Sequence, residues 1–135
     1  MALDAYLQED KNFPKTRENC FISFEDDGYY WFLFEFFKDL ANQTGQMIDL
    51  YNDAFFEDRN LDLLNQTIQR AKTEILNKPE AWEEFIGTIV HKGEGKAEKR
   101  FSVVHKKELE IILAKLEKAI IKAKARNLGL FFFGD

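Results

Sequence analysis

Asp27-Gly28-Tyr29-Tyr30-Trp31-Phe32-Leu33-Phe34-Glu35-Phe36-Phe37 carries seven aromatic side chains in the nine positions from Tyr29 to Phe37. Aromatic residues favour strands, so a strand is one reading. The flanking residues favour a helix. Glu35, Lys38, Asp39 and Asn42 recur as a polar stripe at helical spacing, and Gly45 suits the left-handed position just past a helix end. Asp26 or Asp27 stands where an acid accepts backbone N–H bonds and complements the positive helix end. The spacing predicts a helix over Tyr29 to Thr44, with Tyr29, Leu33, Phe36, Phe37 and Leu40 facing the core. Tyr30, Trp31 and Phe34 fall outside that stripe. Either the fold encloses the segment on nearly all sides, or part of it is offered to another molecule.

Working outward, Asn19 to Phe24 reads as a short strand closed by the acidic turn Glu25-Asp26-Asp27-Gly28. The first 18 residues are polar with scattered apolars and are expected to be loosely ordered, Phe13-Pro14 interrupting any helix begun near Leu3. Gln46 to Tyr51 suggests a second short strand. Asn60 to Asn77 repeats apolar residues at Leu61, Leu64, Ile68, Ala71 and Ile75, a helical period that Pro79 ends. Glu84 to His91 and Lys99 to Val104 read as paired strands around an exposed tip, Lys92 to Glu98. Lys106 to Asn127 is an amphipathic helix closed at Gly129, with Leu109, Ile112, Leu113, Leu116, Ala119, Ile120 and Ala123 on its apolar face. Leu130-Phe131-Phe132-Phe133 reads as a strand buried on both sides. The expected fold is α+β: one domain over 1–135, with a mixed or mostly antiparallel sheet of four to five strands packed with three helices.

A chain of 135 residues with 15% aromatics can bury a substantial core. One cysteine, Cys20, excludes an internal disulfide framework. The first residues lack a basic, apolar leader, and no run reaches 18 apolar residues, so a cytoplasmic protein without a membrane span is expected. Residues 1–68 hold 14 acids and 5 bases, a balance of −9, while 69–135 hold 10 acids and 14 bases, +4, giving the net −5. Such asymmetry suggests an acidic face that repels nucleic acid and attracts basic partners.

Motifs for chemistry are sparse. His91 and His105 near the strand ends have no third metal ligand at matching spacing. Asp58-x-Asn60-x-Asp62 opens like a calcium loop, but Leu63 and Gln69 replace the required glycine and bidentate glutamate, leaving helix capping as the better account. Cys20 in an apolar strand is a small core residue rather than a nucleophile. The acid pairs Glu83/Glu84 and Asp49/Asp53 are poorly disposed for acid/base work: adjacent strand residues face opposite ways in the first, and the second sits at a strand-to-turn junction where solvated acids are common. No cofactor is expected, and no enzymatic activity. Lys115, Lys118, Lys122, Lys124 and Arg126 form a basic helix edge that interleaved Glu108, Glu110 and Glu117 dilute, so a solvated helix back is the stronger reading and nucleic acid is not an expected ligand.

What remains is an acidic and aromatic set: Glu25, Asp26, Asp27, Tyr30, Trp31, Asp49, Tyr51, Asp53, Glu57 and Asp58. Tyr and Trp anchor interfaces through large, stiff contact area, and surrounding acids orient a cationic partner. The stretches Asp27 to Leu33, Thr44 to Tyr51 and Phe133-Gly134-Asp135 resemble small acidic immunity proteins of bacterial toxin systems, including contact-dependent inhibition. That resemblance implies a monomer or weak dimer that binds a cognate toxin domain, a basic nuclease in the usual case, and blocks it. Two other classes compete: an enzyme with an aromatic-lined pocket, and a homo-oligomer whose surplus rings form its interface.

Overall fold

The computed structural model of the chain describes residues 2–12, 14, 16–93 and 95–134. Phe13 and Asp135, named above, and Glu94, within the expected tip Lys92 to Glu98, lie outside the described residues. Six strands and three helices run through them, an α+β fold in which every strand pairing is antiparallel. Strands β1 (Ala2–Gln8), β2 (Cys20–Glu25), β3 (Ala54–Phe56) and β6 (Gly129–Gly134) form one sheet in the order β2-β1-β6-β3. Strands β4 (Ala81–His91) and β5 (Lys96–His105) pair with each other as a separate two-stranded ribbon. The single expected sheet is therefore two sheets.

The sheet is built from both ends of the chain. β6 lies between β1 and β3, and Leu130, Phe131 and Phe132 are all buried, as a strand covered on both faces requires. Its Phe132 packs edge-on against Phe56 at 5.6 Å between ring centroids. β1 corrects the expectation of a loose first segment over Ala2–Gln8 alone: Leu3 and Ala5 alternate inward opposite Phe24 and Ile22 of β2. Alternation at period two was present, but the strand's partner in β6 is more than a hundred residues away. The expected strand Gln46 to Tyr51 is instead a turn. Asp49 accepts hydrogen bonds from Tyr51 N at 3.0 Å and Asn52 Nδ2 at 2.9 Å, which folds the chain back before β3.

Helix α1 (Gly28–Thr44) ends at Gly45 with φ 74°, as its glycine predicts. Helix α2 (Arg59–Ile75) buries Leu61, Leu64, Ile68, Ala71 and Ile75. Helix α3 (Lys106–Arg126) ends at Asn127, which takes the left-handed conformation (φ 56°), rather than at Gly129. Gly129 is the first residue of β6, where the Phe55 ring leaves no room for a Cβ. At Asp58, which precedes α2, the side chain makes no capping bond. The first-turn bond Leu61 N to Asp58 O, at 3.1 Å, is made by its carbonyl.

Around α1 the core stripe differs from the sequence expectation. Tyr30, Phe32, Leu33, Phe37 and Leu40 are buried, while Tyr29 and Phe36 are half-buried. The reason is the ribbon. Trp82 of β4 meets Phe32 edge-on at 5.6 Å, Val104 of β5 is buried at Gly28, and the Gly28 amide donates to Ser102 Oγ at 2.9 Å. Lys78 closes the seam from outside, its ammonium 5.8 Å from the Phe32 ring and 5.2 Å from Trp82.

A Cβ at Gly28 would lie 2.6 Å from Val104 Cγ2 and 3.0 Å from Ser102 O. Ala is the better helix former, so propensity alone predicts that Gly28→Ala stabilises. Overpacking of the seam wins instead, and we expect Gly28→Ala to lower unfolding free energy by about 1–3 kcal/mol in a denaturant titration.

Candidate protein-binding surface

The aromatic segment is absorbed by the fold. Tyr30 is 1% exposed, and its hydroxyl donates to Ile48 O at 3.0 Å. Burial and then the charge of Asp49 push that hydroxyl well above an ordinary tyrosine pKa. Tyr30 therefore anchors the core and cannot anchor a partner. This corrects the sequence expectation, and its cause is the turn at Asp49, which lays Ile48 over the helix. Trp31 is half-buried between Tyr30 and Phe34, with its indole N–H donating to Asp26 Oδ1 at 2.7 Å. Tyr29 is also committed: its hydroxyl accepts from His105 N at 3.1 Å and donates to Glu108 at 3.2 Å.

The acidic residues divide. Ala2 faces Glu25 and Leu3 faces Gly134, while Gly134 N donates to Asn52 O at 3.1 Å, so one end of the sheet gathers Glu25, Asp26, Asp27, Asp49 and Asp53 with Tyr51. Tyr51 is the exposed ring of this group, at 57%. Because β3 runs antiparallel to β6, Glu57 and Asp58 follow the strand at the opposite end. There Glu57 shares a shallow hollow with Glu9, Asp10 and Lys11, and Asp58 lies near Asp62 and Lys124, which pair with each other. Six of the ten sequence candidates thus lie at one end, with half-buried Trp31 bonded to Asp26 beside them and Tyr30 buried beneath, and two lie at the other.

At the acidic end, Asp27 caps α1 by accepting from Tyr29 N at 3.0 Å and Tyr30 N at 3.5 Å. Burial is the largest influence on its carboxyl and raises its pKa, with Glu25 and Asp26 adding to the rise, although both backbone bonds oppose it. The next residue joins β5 through the Gly28–Ser102 bond, so Asp27 sits at the root of the ribbon.

The ribbon supplies what sequence reasoning missed. From Thr88 to Phe101 every described residue is exposed, making this part an arm that leaves the body. Phe85 faces Phe101 across the strands, their ring centroids 5.8 Å apart, and the two are 50% and 54% exposed. Alternation along β5 puts Val103 and Ala97 on the face of Phe101, and Ala97 is paired with Val90, which is 71% exposed. The opposite face turns Trp82 and Val104 to α1. An exposed two-stranded ribbon with such an apolar patch on its outer face, beside Glu83, Thr88 and Lys99, is marginal unless something covers it. The sequence signal was present: Phe85, Ile86, Ile89 and Val90, and Phe101, Val103 and Val104, are apolar on both parities of a hairpin.

The remaining chemistry does not converge. His91 and His105 lie at opposite ends of β4 and β5, where they face Lys96 and Ala81, and His91 Nε2 is 3.2 Å from Glu98. Among the described residues no group of three or more His, Cys, Asp or Glu is arranged to hold a metal, and no helix is long and apolar enough to cross a membrane. Cys20 is half-buried, its Sγ 3.8 Å from an Arg17 nitrogen.

Asp27 gives a prediction with two signs. Asp27→Ala removes the cap and is expected to cost about 1 kcal/mol. Asp27→Asn keeps a capping oxygen and removes a charge the site disfavours, so at neutral pH it is expected to lose nothing. A carboxyl whose folded pKa exceeds its unfolded one binds protons more tightly when folded. It therefore adds stability as pH falls through the folded pKa towards the unfolded value. Urea titrations across that interval should show this gain in the wild type and not in Asp27→Asn.

No family model, curated protein or solved structure matches this chain.

Proposed function

We propose that this chain is a binding protein that grips a basic protein partner with the outer face of the β4–β5 arm and the acidic sheet end at its root. The carrying observation is the exposed Phe85–Phe101 ring pair, flanked by Val90 and Val103 on the face of the ribbon turned away from α1, where each is exposed among the described residues. Aromatic pairs of this kind supply interface anchors, and neighbouring carboxylates steer a cationic partner and fix its orientation. The two open edges of the ribbon add unpaired backbone donors and acceptors for a partner strand. With the resemblance drawn from the sequence, the partner we propose is a toxin domain and the chain is its immunity protein, acting by occupancy rather than by catalysis. The anchoring role passes from Tyr30 to the arm, while Tyr51 stays in the surface.

The open edges favour a second reading, self-association through the arm. Sedimentation separates the two: a dimer that persists on dilution and is abolished by Phe85→Ser/Phe101→Ser would assign the arm to a second copy.

The test is co-expression with the product of the adjacent gene, scored for growth and for a stoichiometric complex. We expect the wild type to neutralise and bind that product. Phe85→Ser/Phe101→Ser should lose about 2 kcal/mol of affinity or more. The same pair should change folding stability by no more than about 1 kcal/mol, the range of a cross-strand pair. Glu25→Lys/Asp53→Lys should slow association at low salt and leave dissociation nearly unchanged. If neither double variant altered the complex, the proposed surface would be wrong. If the neighbouring product neither bound nor inhibited growth, the toxin-immunity assignment would fail.

A further inference from the structure

The basic edge of α3 is not uniform once folded. Lys124 pairs with Asp62, and Lys106 donates to the carbonyls of Leu76 and Lys78 at 3.3 and 3.1 Å. Lys115, Lys118, Lys122 and Arg126 are different. They lie three to four residues apart on one helix face and line a groove of about 270 Å³ against Glu18, Asn19 and Phe21. All four are exposed, and none makes an ion pair or a hydrogen bond to a described residue.

The acids that dilute this row in sequence are directed elsewhere in space. Glu117 accepts from Lys72 and Gln69, both at 2.8 Å, and these bonds, Lys72's first, hold its carboxyl below the usual range. Glu108 meets Tyr29, and Glu110 borders a different hollow beside Glu80 and Lys106. Among the described residues Glu18 is the one acid on the groove wall. Like charges at helical neighbour spacing repel, so an unneutralised row of four costs stability that a bound anion would restore.

We infer that this groove binds a compact oligophosphate, either inorganic or the phosphate tail of a nucleotide. Four cations against one carboxylate call for several anionic oxygens in a small volume, and an oligophosphate is the densest common carrier of them. Lysines act on it as point charges and the guanidinium of Arg126 as a planar fork. Leu7, Phe21 and Ala119 give the groove an apolar floor. The site lies at the start of β2, whereas the acidic end lies at its finish, so it is independent of the proposed partner surface.

The test is an NMR titration of the full chain with inorganic tripolyphosphate, with a nucleoside triphosphate and with a single-stranded oligonucleotide. We expect saturable amide shifts at Asn19 to Phe21 and along Lys115 to Arg126. Lys118→Gln/Lys122→Gln should weaken binding by about tenfold or more, whereas Lys99→Gln/Arg100→Gln on the arm should not weaken it. Tighter binding of the nucleoside triphosphate would identify the nucleotide as the source, and equal binding would identify the inorganic chain. Absence of saturable shifts with both phosphates, shifts that survive the Lys118/Lys122 variant, or binding of the oligonucleotide alone would each overturn the inference. Helical circular dichroism checks that the variant is folded, which exposed Lys→Gln changes in a helix should preserve.

Discussion

The seam between α1 and the β4–β5 ribbon is the contact on which the rest of the structure depends. A helix with rings all round cannot bury them against one sheet, because a sheet covers only one side of a cylinder. Here the four-stranded sheet takes one side, where Phe24 meets Tyr30 and Phe37 edge-on at 6.4 and 6.3 Å. The ribbon takes another, through Trp82 on Phe32 and Val104 on Gly28. α2 reaches the outer rings as well, Arg70 lying 6.0 Å from Phe36. The root of the ribbon is therefore held in place by the helix it covers, and this frees its outer half to extend beyond the body. Burial of one aromatic segment and exposure of another are two results of the same contact.

Much of this fold was legible because its signals are local. Gly45, the Leu61–Ile75 period and the broad apolar face of α3 each specify an element without reference to its neighbours. The elements that were not legible depend on distant partners. β1 has the alternation of a strand, but only β2 and β6 give it a reason to exist. β3 is three residues long and is specified by its place beside β6. Gln46 to Tyr51 has strand-like composition, yet the Asp49 carboxylate closes a turn there and overrides it.

The binding surface divides in the same way. Glu25 to Asp27 and Asp49 to Asp53 flank strand termini that lie at one sheet end. Glu57 and Asp58 follow the other end of a short strand, and sequence proximity concealed that separation. Tyr30 departs from the sequence expectation because its partner, the Ile48 carbonyl, comes from the segment before β3 that turns instead of forming a strand. The arm was missed for another reason: apolar residues on both parities of a hairpin signal burial on both faces, and this chain covers only one.

The central claim is that the rings of α1 are sealed by the ribbon's root while the ribbon's outer half stands free. Hydrogen exchange of the isolated chain, read amide by amide, tests it most directly. The account predicts that Phe32 to Leu40 exchange only through global opening, and that the described amides from Thr88 to Phe101 exchange orders of magnitude faster through local opening. Arm amides protected as strongly as those of α1, or early exchange across Tyr29 to Phe37, would contradict it.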